Sequence, residues 1–193
     1  MNNKNTRAPV LYYNGRMYYS SRDRIYTSDG SVCRIPDWKL KYLPPLLKRL
    51  LRGRIFHVAA YNEYLIVVLR RRILLYRGGS LVHTVDIDRG SRPLKSGLTV
   101  LKGSMYYGDY WGNPERAGVN LYRVDLGTGK KEIFYQCKGV RHIHFVRADL
   151  DNLDSLLIGT GDYDDESGIY RLCLPSGELE EIGAGSQTYR AVD

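Results

Sequence analysis

Leu121-Tyr122-Arg123-Val124-Asp125-Leu126-Gly127-Thr128-Gly129-Lys130-Lys131-Glu132-Ile133-Phe134 is the stretch on which the reading of the fold turns. An aliphatic–tyrosine pair leads into a glycine-containing turn, and a second short apolar run follows. The same succession occurs at Ile25-Tyr26 before Ser28-Asp29-Gly30, at Leu75-Tyr76 before Gly78-Gly79, and at Ile169-Tyr170 before Pro175-Ser176-Gly177. The four tyrosines stand 50, 46 and 48 residues apart. A period of about 40–50 residues made of short strands is the signature of a β-propeller, one blade per period. Taken alone, Gly127-Thr128-Gly129-Lys130 hints at a phosphate loop. It lacks the full spacing and falls in register with the other three turns, so it reads as a hairpin turn.

Working outward, each period reads as four strands. The first opens with Val10-Leu11-Tyr12-Tyr13 and an Asn14-Gly15 turn, a strong hairpin signal. The β-branched and aromatic content of these runs favours strand over helix. The expected fold is all-β: a single propeller domain over 1–193 with blades at about 8–36, 54–88, 96–136 and 140–184. Gln187 to Val192 reads as the first strand of a fifth blade with nothing behind it, giving an open or incomplete ring. The exception is a helical insert at 37–53. Pro44-Pro45 can open a helix, Leu46, Leu47, Leu50 and Leu51 recur at helical spacing with Lys48, Arg49 and Arg52 opposite, and Gly53 can end it. A short helix capping one end of the propeller is the expectation, against a basic amphipathic turn lying on an anionic membrane.

The net charge of +8 is unevenly spread, with 16 Lys and Arg against 4 Asp and Glu through residue 77 and 13 against 17 beyond it. Such asymmetry is compatible with an anionic partner or with a solvated basic edge. Cys33, Cys137 and Cys173 are odd in number and widely spaced, which excludes a disulfide framework and a metal knuckle; buried free thiols are expected. With a polar N-terminus lacking an apolar run, they favour a cytoplasmic location. No stretch approaches the roughly 18 apolar residues that span a bilayer. Nucleophile-elbow, zincin and dinucleotide fingerprints are missing.

Candidate chemistry concentrates in the last two periods. Strand alternation puts His142 and His144 on one face, and Asp162 ends the next strand, so it can reach the same rim. Two imidazoles and a carboxylate suit a general acid/base pair, a substrate anion or a metal ion; with so small a set no tightly bound metal and no cofactor are expected. The run from Tyr106 to Arg116 combines four aromatics with Asp109, Asn113, Glu115 and Arg116, a mixture suited to sugars, since rings stack on apolar sugar faces and polar groups bind hydroxyls. The candidate set is therefore His142, His144 and Asp162 for catalysis, with Arg92, Tyr107, Asp109, Arg116 and Arg141 for substrate. Asp162 to Gly168 has a faint calcium-loop look without EF-hand spacing and reads as a solvated hairpin loop.

Arg89-Gly90-Ser91-Arg92-Pro93-Leu94, Tyr106 to Trp111, Asn113 to Arg116, Arg141 to His144, Thr160-Gly161-Asp162 and Gly185 to Val192 come in an order that resembles prokaryotic sialidase-like, Asp-box (BNR) repeat propellers. The likeness is specific from about residue 89 onward. Ser-Asp-Asp-Gly-Gly-Lys-Thr-Trp-type turns of that family are worn down here to Ser28-Asp29-Gly30 and plain glycine turns, and the family continues for further blades. The resemblance implies a propeller in a polysaccharide context. The arginine triad, tyrosine nucleophile and aspartate of sialidases cannot be placed residue by residue. The function expected is binding of a carbohydrate or anionic glycan. The alternatives are a glycoside hydrolase or polysaccharide lyase using His142, His144 and Asp162, or a protein-interaction propeller. The expected partner is a glycan or acidic polysaccharide rather than nucleic acid or membrane, with self-association possible through open sheet edges.

Overall fold

The computed structural model describes residues 8–51 and 53–185. Among these residues sixteen strands form four four-stranded antiparallel sheets, each a simple meander. The first sheet is β1 (Ala8–Tyr13), β2 (Arg16–Ser21), β3 (Arg24–Thr27) and β4 (Gly30–Arg34). The second is β5 (His57–Tyr61), β6 (Tyr64–Leu69), β7 (Arg72–Arg77) and β8 (Ser80–Asp86). The third is β9 (Leu98–Leu101), β10 (Ser104–Gly108), β11 (Val119–Asp125) and β12 (Lys131–Cys137); the fourth is β13 (Ile143–Ala148), β14 (Ser155–Thr160), β15 (Gly168–Cys173) and β16 (Leu179–Ala184). The segment read as the start of a fifth blade lies outside the described residues. The chain groups into two compact units, Met1–Asp86 and Ile87–Asp193, each holding two blades.

Turn chemistry sets the first hairpin. Asn14 and Gly15 both take positive φ, 47° and 74°, as a type I′ turn requires. The middle strands of the second blade, β6 and β7, are buried almost throughout, so their sequences are continuous apolar runs rather than alternations. Within the first unit the core gathers Ile25, Ile35, Val67, Leu74 and Tyr76. The Tyr76 hydroxyl donates to the Arg34 carbonyl at 2.7 Å, joining the second blade to the first. Within the second unit the core gathers Leu121, Ile143, Val146, Leu156 and Ile158. Fully burying each such side chain contributes about 1.5–3 kcal/mol. First strands meet inside each unit, β1 against β5 and β9 against β13.

The repeated aliphatic–tyrosine pair has a common structural meaning. In every blade the register between third and fourth strands shifts at that pair: at Ile25/Tyr26, Leu75/Tyr76, Leu121/Tyr122 and Ile169/Tyr170. The fourth strand carries one extra residue there, Val32, Val82, Phe134 or Ile182 in turn, apolar each time. A β-bulge bends its strand and sharpens the local twist. The period in the sequence is thus the period of a bulge.

The insert forms two short helices, α1 (Trp38–Tyr42) and α2 (Pro45–Leu50), where one was expected. Asp37 caps α1, its carboxylate accepting the Lys39 N–H at 2.8 Å, and it also holds Arg72 at 3.0 Å. In α2, Leu46 and Leu50 are 79% and 76% exposed.

Candidate functional site

His142 and His144 sit at the start of β13, and a bulge delivers the second of them. Ile143 pairs with Thr160 and Phe145 with Gly159, so His144 is an extra residue without a partner in the ladder. Bulges re-aim side chains in this way. The backbone then closes the site: the Gly161 N–H donates to the His142 carbonyl at 3.1 Å, which draws Asp162 alongside. Gly161 has φ of +71°, and a Cβ there would stand 2.2 Å from the Glu166 carbonyl oxygen. Only glycine makes this turn without strain.

Three side-chain atoms converge as a result. His142 Nε2 and His144 Nε2 are 3.1 Å apart, and they lie 3.2 and 3.0 Å from Asp162 Oδ1. His142 Nδ1 is 3.3 Å from the Trp111 carbonyl oxygen, which fixes the ring when Nδ1 carries the proton. Tyr110 packs on both imidazoles, with ring centroids at 4.5 and 5.9 Å. Burial pushes the His144 pKa down, and the His142 charge adds to this against the opposing Asp162 hydrogen bond. Burial would raise the Asp162 carboxyl, but the His142 charge and the bonds from both imidazoles hold it below the ordinary carboxylate value.

The loop read as solvated supplies the organiser of this rim. The Glu166 side chain is fully buried. It accepts the backbone N–H of Arg141 at 2.7 Å and that of Asp162 at 3.2 Å. The guanidinium Nε atoms of Arg116 and Arg141 lie 3.6 and 3.4 Å from it. Arg116 also makes a two-pronged pair with Asp165 at 2.6 and 3.0 Å. Two of the three arginines expected to hold substrate, Arg116 and Arg141, are thus engaged with acids of the chain, and Arg141 additionally lies over the Tyr163 ring. Asn113, buried, donates to the Ala117 and Arg141 carbonyls at 2.8 and 3.0 Å and ties the aromatic loop to β13.

Tyr107 and Asp109 stand apart from this constellation by their side chains. Tyr107 is buried and stacks on Tyr122, centroids 4.9 Å apart. Asp109 is 2% exposed. Its Oδ2 accepts the Asn120 N–H at 2.9 Å, and its Oδ1 has no hydrogen-bond partner among the described residues. Burial raises its pKa to about 6, against the lowering effect of the Asn120 bond. Arg92 donates to the Pro93 carbonyl at 3.2 Å and lines a cavity of about 570 Å³ with Leu94, Lys95, Ser96 and Arg147. Glu166 and Tyr110 are the members that sequence reasoning did not single out. Tyr110 lay within the noted aromatic run, whereas nothing local distinguishes Glu166 from the neighbouring acids.

No family model and no curated protein matches the chain. Solved structures do. The extracellular domain of the BT4673 hybrid two-component system from B. thetaiotaomicron is similar at 16% identity and a TM-score of 0.55, covering 92% of this chain and 21% of that one. The WD40 β-propeller domain of Doa1 is similar at 12% identity and a TM-score of 0.52, covering 90% and 52%. Kluyveromyces lactis Hsv2 is similar at 13% identity and a TM-score of 0.54, covering 89% and 49%. The fold is that of β-propeller blades, and the chain spans from about a fifth to about half the length of these relatives. Among the described residues no helix is long and apolar enough to cross a membrane.

Proposed function

We propose that the second unit binds a negatively charged carbohydrate, with the cavity around Arg92 as the seat of its anionic group. One observation carries this reading. Arg92, Lys95 and Arg147 line a cavity of about 570 Å³ together with Leu94 and Ser96, and among the described residues no acidic one lines it. Cavities of about 300–1,000 Å³ suit small ligands or the end of a polymer. Clustered cations favour carboxylate or sulfate through charge-assisted hydrogen bonds. Ser96 donates to the His144 carbonyl at 3.0 Å, so the cavity wall is continuous with the strand that bears the histidines. The resemblance of residues 89–94 to sialidase-like, Asp-box propellers supports the same class of ligand.

Calorimetric titration with sulfated and carboxylated oligosaccharides at low salt tests the reading. Binding should be lost in an Arg92→Ala/Arg147→Ala double variant and should be missing for neutral oligosaccharides. Equal binding by the double variant, or by neutral sugars, refutes it.

A second reading, cleavage of the polymer, rests on the 3.0 Å contact between His144 and Asp162, the geometry of a base with its orienting carboxylate. Hydrolysis ordinarily takes two carboxylates flanking the bond. Glu166 is enclosed and engaged with two arginines, so elimination by an imidazole base is the better-supported form of this reading.

A further inference from the structure

We infer that His142 Nε2, His144 Nε2 and Asp162 Oδ1 bind one divalent transition-metal ion. The three atoms form a nearly equilateral triangle with sides of 3.0, 3.1 and 3.2 Å. With metal–ligand bonds of about 2.1 Å, neighbouring donors stand about 3.0 Å apart in an octahedral shell and about 3.4 Å apart in a tetrahedral one. The observed sides match one octahedral face. An ion about 2.1 Å from all three stands roughly 1 Å out of their plane. The donor spacing is thus already that of a shared ion.

A cation placed over the triangle is shared by all three donor atoms at once. The surrounding groups are those a metal site uses. A backbone carbonyl orients His142, and Glu166 fixes Asp162 through its N–H. Imidazole with carboxylate selects zinc, iron, manganese, cobalt or nickel over calcium or magnesium. Three protein ligands, with the Asp162 side chain 36% exposed, leave coordination positions for water or a ligand, the pattern of a reactive rather than a structural site.

The inference is independent of the carbohydrate-binding reading, because the ion is held by protein atoms alone, and it takes the place of the imidazole-base reading, whose His144 Nε2–Asp162 pair the ion would occupy. Protein stripped with chelator is titrated with Zn(II) by calorimetry and with Co(II) by visible absorption. One ion per chain is expected, with d–d bands of nitrogen–oxygen coordination and a raised thermal midpoint. His144→Ala and Asp162→Ala should each weaken Zn(II) binding by at least about tenfold, while His83→Ala leaves it unchanged. Should His144→Ala fail to fold, the more exposed Asp162→Ala decides. Lack of stoichiometric binding, or wild-type affinity in Asp162→Ala, overturns the inference. Metal binding without oligosaccharide binding, or the reverse, separates the two readings.

Discussion

Replacing Asp109 by asparagine should stabilise this protein at neutral pH, although it removes a charge from a buried hydrogen-bonded position. Asp109 is enclosed at 2% exposure, receives one backbone N–H and leaves its second oxygen unbonded. Burial carries its carboxyl from an ordinary 3.8 to about 6. A carboxyl raised in the folded state holds its proton more tightly there than in the unfolded chain. The group's favourable contribution is therefore complete below about pH 4 and is lost as pH rises through about 6, a loss of about 3 kcal/mol. Asparagine keeps the shape and the acceptor for Asn120 and never ionises. Unfolding free energies of Asp109→Asn and wild type from urea titration should coincide near pH 4 and diverge to about 3 kcal/mol in favour of the variant at pH 8. His144, whose pKa is lowered, also titrates below its ordinary 6.5, with stability lost as pH falls; that slope is common to both proteins and cancels in their difference. Asp149, Asp162 and Asp165 are lowered from 3.8, so their stabilisation is lost only below about pH 4. A variant less stable than wild type at pH 8, or a difference that does not change with pH, refutes the reasoning.

Gly161→Ala should destabilise by about 2–4 kcal/mol, since its Cβ meets backbone at 2.2 Å with φ of +71°. Gly183→Ala, in β16 with open space around it, should cost less than about 1 kcal/mol, and equal midpoints in denaturant for the two variants would contradict the turn assignment. Burial pushes the Cys33 and Cys137 thiols up to about 12, whereas Cys173 is half-buried. One thiol should react rapidly with a maleimide in the native protein and three after denaturation; three reacting at one rate in the native state would show that the cores are not closed.

Local signals carried most of the fold. Asn14-Gly15, the β-branched strands and the glycine turns act over a few residues, and the sequence shows them directly. The aliphatic–tyrosine pair was visible as a repeat, but its meaning as a bulge was not, because a two-against-one pairing depends on which residue of the next strand comes opposite. The convergence of His142, His144 and Asp162 was legible from alternation and strand order. The bulge at His144 that produces it was hidden for the same reason. Arg116 and Arg141 were read as ligand groups because the acids that engage them lie 49 and 25 residues away. Glu166 looked like its solvated neighbours, since nothing local tells a buried carboxylate from an exposed one. Leu46 and Leu50 carry an amphipathic pattern, and a pattern states which face is apolar without stating what covers it.

The bulge shared by the four fourth strands bears on solubility. Among the described residues β4, β8, β12 and β16 each end a sheet, with no further strand beyond them in that sheet. A flat, regular strand in such a place is a template on which another molecule can add its own. Here the extra residue interrupts the even spacing of donors and acceptors within each of these strands. A straight strand laid alongside falls out of step at Val32, Val82, Phe134 or Ile182 and can match only a short run on either side. The irregularity that marks the repeat therefore also guards each blade against recruitment into aggregates.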